Sequence, residues 1–149
     1  MITPGMMSSL SNEWTTPQKL FDELNQEFGF TLDPCCTHQN AKCNKHFTAE
    51  ENGLDRDWSN EIVFMNPPYG RVIGKWIKKA CDESRKGATV VCLIPSRTDT
   101  AYWHDYVMKG QIRFIRGRLK FGDGNNPAPF PSAIVVFTAE LAKLEEEKK

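Results

Sequence analysis

Two consecutive prolines follow a short apolar run at residues 62–64, and this corner constrains the fold more than any other feature of the sequence. The run reads Ile-Val-Phe, the composition of a buried strand, and the next five residues are Met-Asn-Pro-Pro-Tyr. Neither proline has an N–H group to donate, so pairing with a neighbouring strand stops there. The chain therefore leaves a strand through a rigid corner that fixes the positions of Asn66 and Tyr69.

Segments with strand-like and helix-like patterns alternate along the rest of the chain. Apolar residues recur at helical spacing over 17–28, 70–86 and 99–109, and the charged segment 140–149 is compatible with a frayed helix or tail. Short apolar runs predict strands at 30–33, 62–65, 88–94, 111–115, 119–121 and 133–137. Thr16 is expected to cap the first helix and Pro17 to occupy its first position. This alternation predicts an α/β fold with a mixed, mostly parallel sheet and helices on both faces.

The net charge of zero conceals an uneven distribution along the 149 residues. Residues 71–120 contain twelve Lys and Arg against four Asp and Glu, whereas residues 1–70 contain four against ten. A basic segment in a neutral protein indicates a surface that binds an anion such as nucleic acid. The alternative is a set of solvated helix faces.

The cysteines do not indicate a disulfide framework, since there are five of them and the first residues lack the charged start and apolar stretch expected of a signal peptide. A cluster of cysteine and histidine lies between residues 35 and 46, but it lacks a Cys-x-x-Cys pair, so no metal site is predicted. No apolar run approaches the roughly 20 residues of a membrane span, so we expect a cytoplasmic protein.

The Asn-Pro-Pro-Tyr corner has the groups needed to activate an amino nitrogen on an aromatic ring. Such a nitrogen is a poor nucleophile because its lone pair is delocalised into the ring. The side-chain oxygen of Asn66 and the carbonyl of Pro67 can accept its two hydrogens, and the prolines hold that carbonyl still. Tyr69 offers a face on which a planar base can stack.

The stretch from Trp14 to Phe137 resembles the phage Dam-type DNA N6-adenine methyltransferases, which use S-adenosylmethionine. The matching pieces are W-T-T-P-x-x-L-F-D-x-L, F-T-L-D-P-C, G-L-D-R-D-W, F-M-N-P-P-Y-G, and R-G-R-L-K-F-G followed by A-P-F-P-S-A. They occur in order over about four-fifths of the chain. The resemblance implies a reduced Rossmann-like methyltransferase fold over residues 14–138, preceded by a flexible N-terminus at 1–13 and followed by a charged tail at 139–149.

The resemblance also implies roles for individual residues. The catalytic corner consists of Asn66, Pro67, Pro68 and Tyr69. The cofactor-binding residues are Trp14, Thr15, Thr16 and Pro17 at the methionine end, Asp33, Pro34 and Cys35 beside it, and Asp57 and Trp58 near the cofactor's adenine. Tyr69 and Phe130 are the aromatic residues expected to stack on the target base, although a packing role for Phe130 is the alternative.

The sequence departs from the usual methyltransferase pattern in two ways. No glycine-rich loop follows Asp33-Pro34, and only about 28 residues separate this strand from the catalytic one. The acidic residue that binds the cofactor ribose is therefore not assignable, with Glu50, Glu51 and Asp55 as candidates. No separate target-recognition domain is present, so DNA contacts are expected from the loops 96–110 and 117–131. The basic residues expected to contact DNA lie in or between these loops and are Arg97, Arg113, Arg116, Arg118 and Lys120.

The expected function is therefore methylation of N6 of an adenine flipped out of double-stranded DNA, at a specific site, in a bacterial or phage-infected cell. Protection of phage DNA from restriction is the biological role that the resemblance implies, and no membrane or obligate protein partner is indicated. The alternatives are an RNA-base or protein-glutamine N-methyltransferase, and a non-catalytic DNA- or zinc-binding module on the same fold.

Overall fold

The computed structural model describes residues 14–122 and 126–148. The expected flexible N-terminus at 1–13 lies outside the described residues, as do residues 123–125 of the loop at 117–131. The helices are α1 (Gln18–Phe28), α2 (Ile73–Arg85), α3 (Ala101–Asp105) and α4 (Ala139–Glu147). The strands are β1 (Ile62–Met65), β2 (Thr89–Pro95), β3 (Gln111–Phe114) and β4 (Ser132–Phe137), and short 3₁₀ turns occur at Gly53–Asp55 and Val107–Lys109.

The four strands form one mixed sheet in the order β1-β2-β4-β3. β1 and β2 are parallel, whereas β4 is antiparallel to both of its neighbours. The predicted α/β class and mixed sheet are confirmed. The sheet is not mostly parallel, because β4 inserts between β2 and β3 and runs against both. This arrangement is compatible with a methyltransferase-like fold.

Both faces of the sheet are covered, as predicted. On one face Val90, Cys92 and Ile94 of β2 belong to a core shared with Trp76 and Ile77 of α2. On the opposite face Val91 and Leu93 belong to a core shared with Phe21 and Leu24 of α1. The continuous apolar run of β2 is explained by this two-sided burial, because successive strand residues point to opposite faces.

The parallel register of β1 and β2 brings their carboxyl ends to the same edge of the sheet. Met65 pairs with Cys92, and Asn66 and Ser96 follow directly beyond the two strands. Leu32 forms an isolated parallel bridge to Val63, so Asp33 also reaches this edge. The Asp33-Pro34 and Asn66-Pro67 segments, which both follow apolar runs, therefore converge at this edge.

Three predicted elements differ in the structure. Residues 30–33 form two single bridges, Leu32 to Val63 and Asp33 to His46, because Pro34 ends the pairing. Residues 119–121 are not a strand, since the neighbouring backbone groups bond within loops, with the Ala128 N–H donating to the Leu119 carbonyl. The helix predicted over 99–109 divides at Tyr106 into α3 and a 3₁₀ turn.

The C-terminal segment forms α4, capped by the Thr138 side chain, which accepts from the Leu141 N–H. Among the described residues no helix is long and apolar enough to cross a membrane.

Candidate active site

Asn66 has its amide group fixed by the N-terminal segment of the chain. Its Nδ2 donates one hydrogen bond to the Trp14 carbonyl at 2.7 Å and one to Thr16 Oγ1 at 3.0 Å. Both hydrogens of the amide nitrogen are thus used. The Oδ1 atom is buried and has no hydrogen-bond partner within the described chain. An unpaired buried acceptor costs free energy, so this oxygen is available to a donor that a ligand brings.

The hydroxyl of Thr16 is used differently from the prediction. Pro17 is the N-cap of α1 and makes no side-chain capping bond, while Thr16 is buried and accepts from Asn66. The expectation that Thr16 caps the helix is therefore wrong. The Thr-Thr-Pro motif instead holds the side chain that follows β1.

The Asp33-Pro34-Cys35 segment packs directly against the Asn-Pro-Pro-Tyr corner. The Cys35 thiol donates to the Asn66 backbone carbonyl at 3.4 Å. The Asp33 carboxylate accepts from the backbone N–H groups of Cys35 at 3.4 Å and Lys42 at 3.0 Å. Burial raises the pKa of Asp33 to about 6, against which these two hydrogen bonds act. Asp33 therefore supports the loop from inside, and two of the three predicted cofactor segments meet at Asn66.

Tyr69 lies in a cluster of four aromatic rings. Its hydroxyl donates to the Leu93 carbonyl at 3.5 Å, and burial raises its pKa well above the ordinary value. The ring centroids of Trp14, Phe121 and Phe130 lie 6.3, 6.4 and 5.6 Å from that of Tyr69. The Phe130 ring is largely covered, since the residue is 6% exposed. This burial does not distinguish the predicted stacking role from the alternative packing role. Phe121 was not among the predicted base-stacking residues, although it lies in the R-G-R-L-K-F-G piece.

The third predicted cofactor segment lies elsewhere. Trp58 is fully buried, stacks on Trp76 with ring centroids 6.3 Å apart, and donates from Nε1 to the Gly53 carbonyl. Asp57 is exposed, and its carboxylate lies 3.8 Å from Lys86 Nζ, just before β2 begins. Among the described residues no hydrogen bond or ring contact joins Asp57 or Trp58 to Asn66, and the Trp58 indole reaches the Pro34 segment through Gly53. Trp58 is a core residue.

Gly53 is required where the 3₁₀ turn passes the Pro34 segment. A Cβ at this position would lie 2.1 Å from the Pro34 carbonyl oxygen. The 3₁₀ turn therefore packs closely against the Asp33-Pro34-Cys35 loop. Gly53 was not among the predicted site residues. Its one sequence signal is its position as the first residue of the G-L-D-R-D-W piece.

The predicted DNA-binding residues have different environments. Arg113 forms a bidentate pair with Glu27, at 2.7 and 2.6 Å, and lies over the Phe28 ring, so it joins β3 to α1. Arg97 is exposed, and its guanidinium carbon lies 5.8 Å from the Phe130 ring centroid. The remaining residues of the set are exposed: Arg116, Arg118 and Lys120. Arg97 therefore connects the basic surface to the aromatic cluster.

The cysteine and histidine cluster contains a histidine pair. His38 Nδ1 and His46 Nε2 are 2.9 Å apart, while His46 Nδ1 faces the carbonyls of Cys43 and Asn44. Since carbonyls only accept, His46 Nδ1 carries the hydrogen and Nε2 accepts from His38. In the part of the chain that the structure describes, no three His, Cys, Asp or Glu side chains are grouped closely enough to hold a metal ion.

Two of the ribose candidates are occupied within their own loop. The Glu51 carboxylate accepts from the N–H and the hydroxyl of Thr48, and Asp55 accepts from Asn52 Nδ2. Hydrogen bonds from Thr48 lower the pKa of Glu51.

Comparison with known proteins identifies sequence relatives over most of the chain. The family model described as DNA N-6-adenine-methyltransferase (Dam) matches residues 5–143. A protein of Escherichia phage T1 named DNA N-6-adenine-methyltransferase is 28% identical over 150 residues, which cover 83% of this chain and 61% of the phage protein. A protein of the same name from Haemophilus phage HP1 is 28% identical over 136 residues, covering 83% of this chain and 77% of its own length.

Proposed function

Because the chain belongs to the DNA N-6-adenine-methyltransferase (Dam) family, we propose that it transfers a methyl group from S-adenosylmethionine to N6 of an adenine flipped out of double-stranded DNA. The observation that supports this most directly is the buried, unpartnered Oδ1 of Asn66, held in place by two hydrogen bonds from the same amide. An acceptor fixed in advance costs no reorganisation when the substrate donor arrives.

The corner acts on the amino group of the base through two acceptors. Asn66 Oδ1 takes one N6 hydrogen, and the Pro67 carbonyl, fixed between two proline rings, takes the other. Drawing both hydrogens out of the ring plane returns the lone pair to N6, which then attacks the methyl carbon as the bond from sulfur to carbon breaks. The proton that N6 loses afterwards leaves to water.

The residues next to Asn66 fit the methionine end of the cofactor. They are Thr15, Thr16 and Pro17 on one side and Asp33, Pro34 and Cys35 on the other. The bound cofactor supplies an electrophilic methyl group on its sulfonium. Asp57 and Trp58 are omitted from this assignment because the hydrogen bonds and ion pairs of these residues do not reach Asn66 within the described chain.

The target adenine must leave the duplex, since N6 of a stacked base cannot reach an atom as buried as Asn66 Oδ1. Tyr69 then provides a face for the extruded base. Arg97, exposed beside Phe130, is placed to neutralise a phosphate near the extruded nucleotide, so DNA binding is expected to weaken as salt rises.

The test is expression of the protein in a bacterium that lacks adenine methylation, followed by sequencing of its DNA with a method that detects N6-methyladenine. We expect methylated adenines in one short motif, and an empty vector as control gives none. An unmodified genome in cells that contain abundant folded protein would overturn the proposal and direct the assay to RNA bases or protein glutamine.

A further inference from the structure

In the cluster of four aromatic rings, two rings lie at a shallow angle to one another and two others lie at steeper angles to them. The Trp14 and Tyr69 rings are inclined by only 30°. Phe130 and Phe121 make angles of 80° and 85° with Tyr69, and of 56° and 89° with Trp14. A planar base that stacks on Tyr69 therefore meets Phe130 edge-on, so Tyr69 and Phe130 cannot stack on its two faces.

The separation of Trp14 and Tyr69 is close to that of two rings with a base between them. Their centroids are 6.3 Å apart. Inserting a base requires about 7 Å, which is twice the roughly 3.4 Å spacing of stacked bases. An outward movement of the indole by about 1 Å is sufficient, and Trp14 is only half-buried.

The backbone of Trp14 is tied to the catalytic amide and to the loop that carries Phe121. Its carbonyl accepts from Asn66 Nδ2 at 2.7 Å, and the next carbonyl, that of Thr15, accepts from the Gly122 N–H at 2.8 Å. These bonds fix the backbone of Trp14 next to the Asn66 amide, and neither of them constrains the indole itself. A base held between the Trp14 and Tyr69 rings would therefore lie close to the Asn66 side chain.

We propose that Trp14 is a positioning residue of the target-base pocket, where its indole covers the face of the extruded adenine that Tyr69 leaves open, and that it is not a cofactor ligand. This inference rests on the proposed function. It replaces Phe130 as the second stacking residue and assigns Phe130 and Phe121 to the walls that contact the base edge.

The experiment compares Trp14→Leu and Trp14→Phe with the wild type. Leucine keeps an apolar side chain without an aromatic face, and phenylalanine keeps a face. Phe114→Ala is the control, because Phe114 is 67% exposed on the edge strand β3. For each protein, single-turnover methylation of unmethylated genomic DNA is measured at saturating S-adenosylmethionine, and the cofactor Kd is measured by calorimetry.

We expect Trp14→Leu to slow single-turnover methylation about 5- to 100-fold, the value of one base–aromatic stack. Trp14→Phe should recover most of the rate, and the cofactor Kd should stay within about twofold of the wild type in both variants, since the indole is proposed to touch the base and not the cofactor. Phe114→Ala should match the wild type. Equal thermal unfolding midpoints show that all variants are folded.

Two outcomes would overturn the inference while leaving the proposed function intact. One is a cofactor Kd raised tenfold or more in Trp14→Leu with an unchanged rate at saturation, which would place the indole at the cofactor. The other is a Trp14→Phe variant as slow as Trp14→Leu, which would exclude stacking as the cause. A folded wild type that methylates no DNA overturns the proposed function and this inference together.

Discussion

One buried acceptor beyond each end of β1 and β2 shows the two possible states of such a group, paired and unpaired. Beyond the amino ends, the carboxylate of Glu83 is 1% exposed and receives three partners: the Trp58 N–H at 2.5 Å, Lys86 Nζ at 2.5 Å and Lys79 Nζ at 3.5 Å. Beyond the carboxyl ends, Asn66 Oδ1 is buried and without a partner among the described residues.

The contrast separates groups that stabilise the fold from groups that remain available to a ligand. A paired buried acceptor contributes to stability, whereas an unpaired one costs about 1–3 kcal/mol of free energy. The D-R-D-W piece and the N-P-P-Y piece both carry the family resemblance. Trp58 of the first donates its backbone N–H to Glu83, whereas Asn66 of the second keeps Oδ1 without a partner among the described residues. The cofactor role of Asp57 and Trp58 stays a prediction.

Asn66→Ala removes the unpaired acceptor and has the largest expected effect. It should reduce the methylation rate by about 10²–10³-fold, the loss found when one preorganised acceptor or donor of a transition state is removed. The matched control is Asn44→Ala, a change at an exposed asparagine in a loop. Both rates are measured with tritiated S-adenosylmethionine on unmethylated DNA, after thermal unfolding has shown that the proteins are folded. A rate in Asn66→Ala within threefold of the control would contradict the assigned role of the oxygen.

Glu83→Ala removes the paired acceptor beyond the amino ends of β1 and β2. Removing the carboxylate leaves the buried Trp58 N–H without its acceptor, which should lower the free energy of unfolding by about 2 kcal/mol. Glu83→Gln keeps an acceptor oxygen and should lose less. Urea unfolding measures stability, and methylation per folded molecule should be unchanged in both variants. A loss of activity in a folded Glu83→Ala protein would show that the two ends of the sheet are not separate in function.

Much of the structure around Asn66 could be predicted from local sequence. The apolar run before Asn66 predicted β1 with its observed bounds, and the helical spacing after Gly70 predicted α2. Proline chemistry predicted the rigid corner, and the helical range 17–28 predicted the end of α1 before Gly29, which has a positive φ of 70°. These features depend on neighbouring residues, which a sequence shows directly.

The rest depends on partners that are far apart in the chain. Thr16 has the local pattern of a helix cap, but its acceptor oxygen is used by Asn66, 50 residues away. Arg113 belongs to the basic segment, yet Glu27 binds it across 86 positions. The position of β4 between β2 and β3 is likewise a long-range choice that no short pattern encodes.

Asp33 allows a measurement of what the buried charge near Asn66 costs the fold. Burial raises its native pKa from the ordinary 3.8 to about 6, so between these values the native state binds more protons than the unfolded state. Stability from this group is therefore present at low pH and is lost as the pH rises through about 6. Asp33→Asn removes the titration, so the stability of the wild type relative to the variant should fall by about 2 kcal/mol between pH 4.5 and 7.5. Urea unfolding at the two pH values measures it, and a relative stability that rises with pH would show that the hydrogen bonds to the carboxylate outweigh its burial.

Arg113→Ala and Arg97→Ala have the smallest expected effects on stability and distinguish a structural arginine from one available to DNA. The Arg113–Glu27 pair is well aligned but partly exposed, with side chains 39% and 47% accessible, so its loss should cost less than about 1 kcal/mol. Arg97 has no carboxylate partner among the described residues, so its removal should leave stability unchanged.

Arg97→Ala has the larger expected effect of the two when DNA binding is measured as a function of salt concentration. Each phosphate contact contributes a slope of about 0.9 in the logarithm of the binding constant against the logarithm of salt concentration. Arg97→Ala should lower this slope by about one contact, whereas Arg113→Ala should leave it unchanged, because Glu27 already neutralises that guanidinium. If Arg113→Ala lowered the slope as much as Arg97→Ala, the ion pair with Glu27 would have to open when DNA binds, and β3 would then be part of the DNA-binding surface.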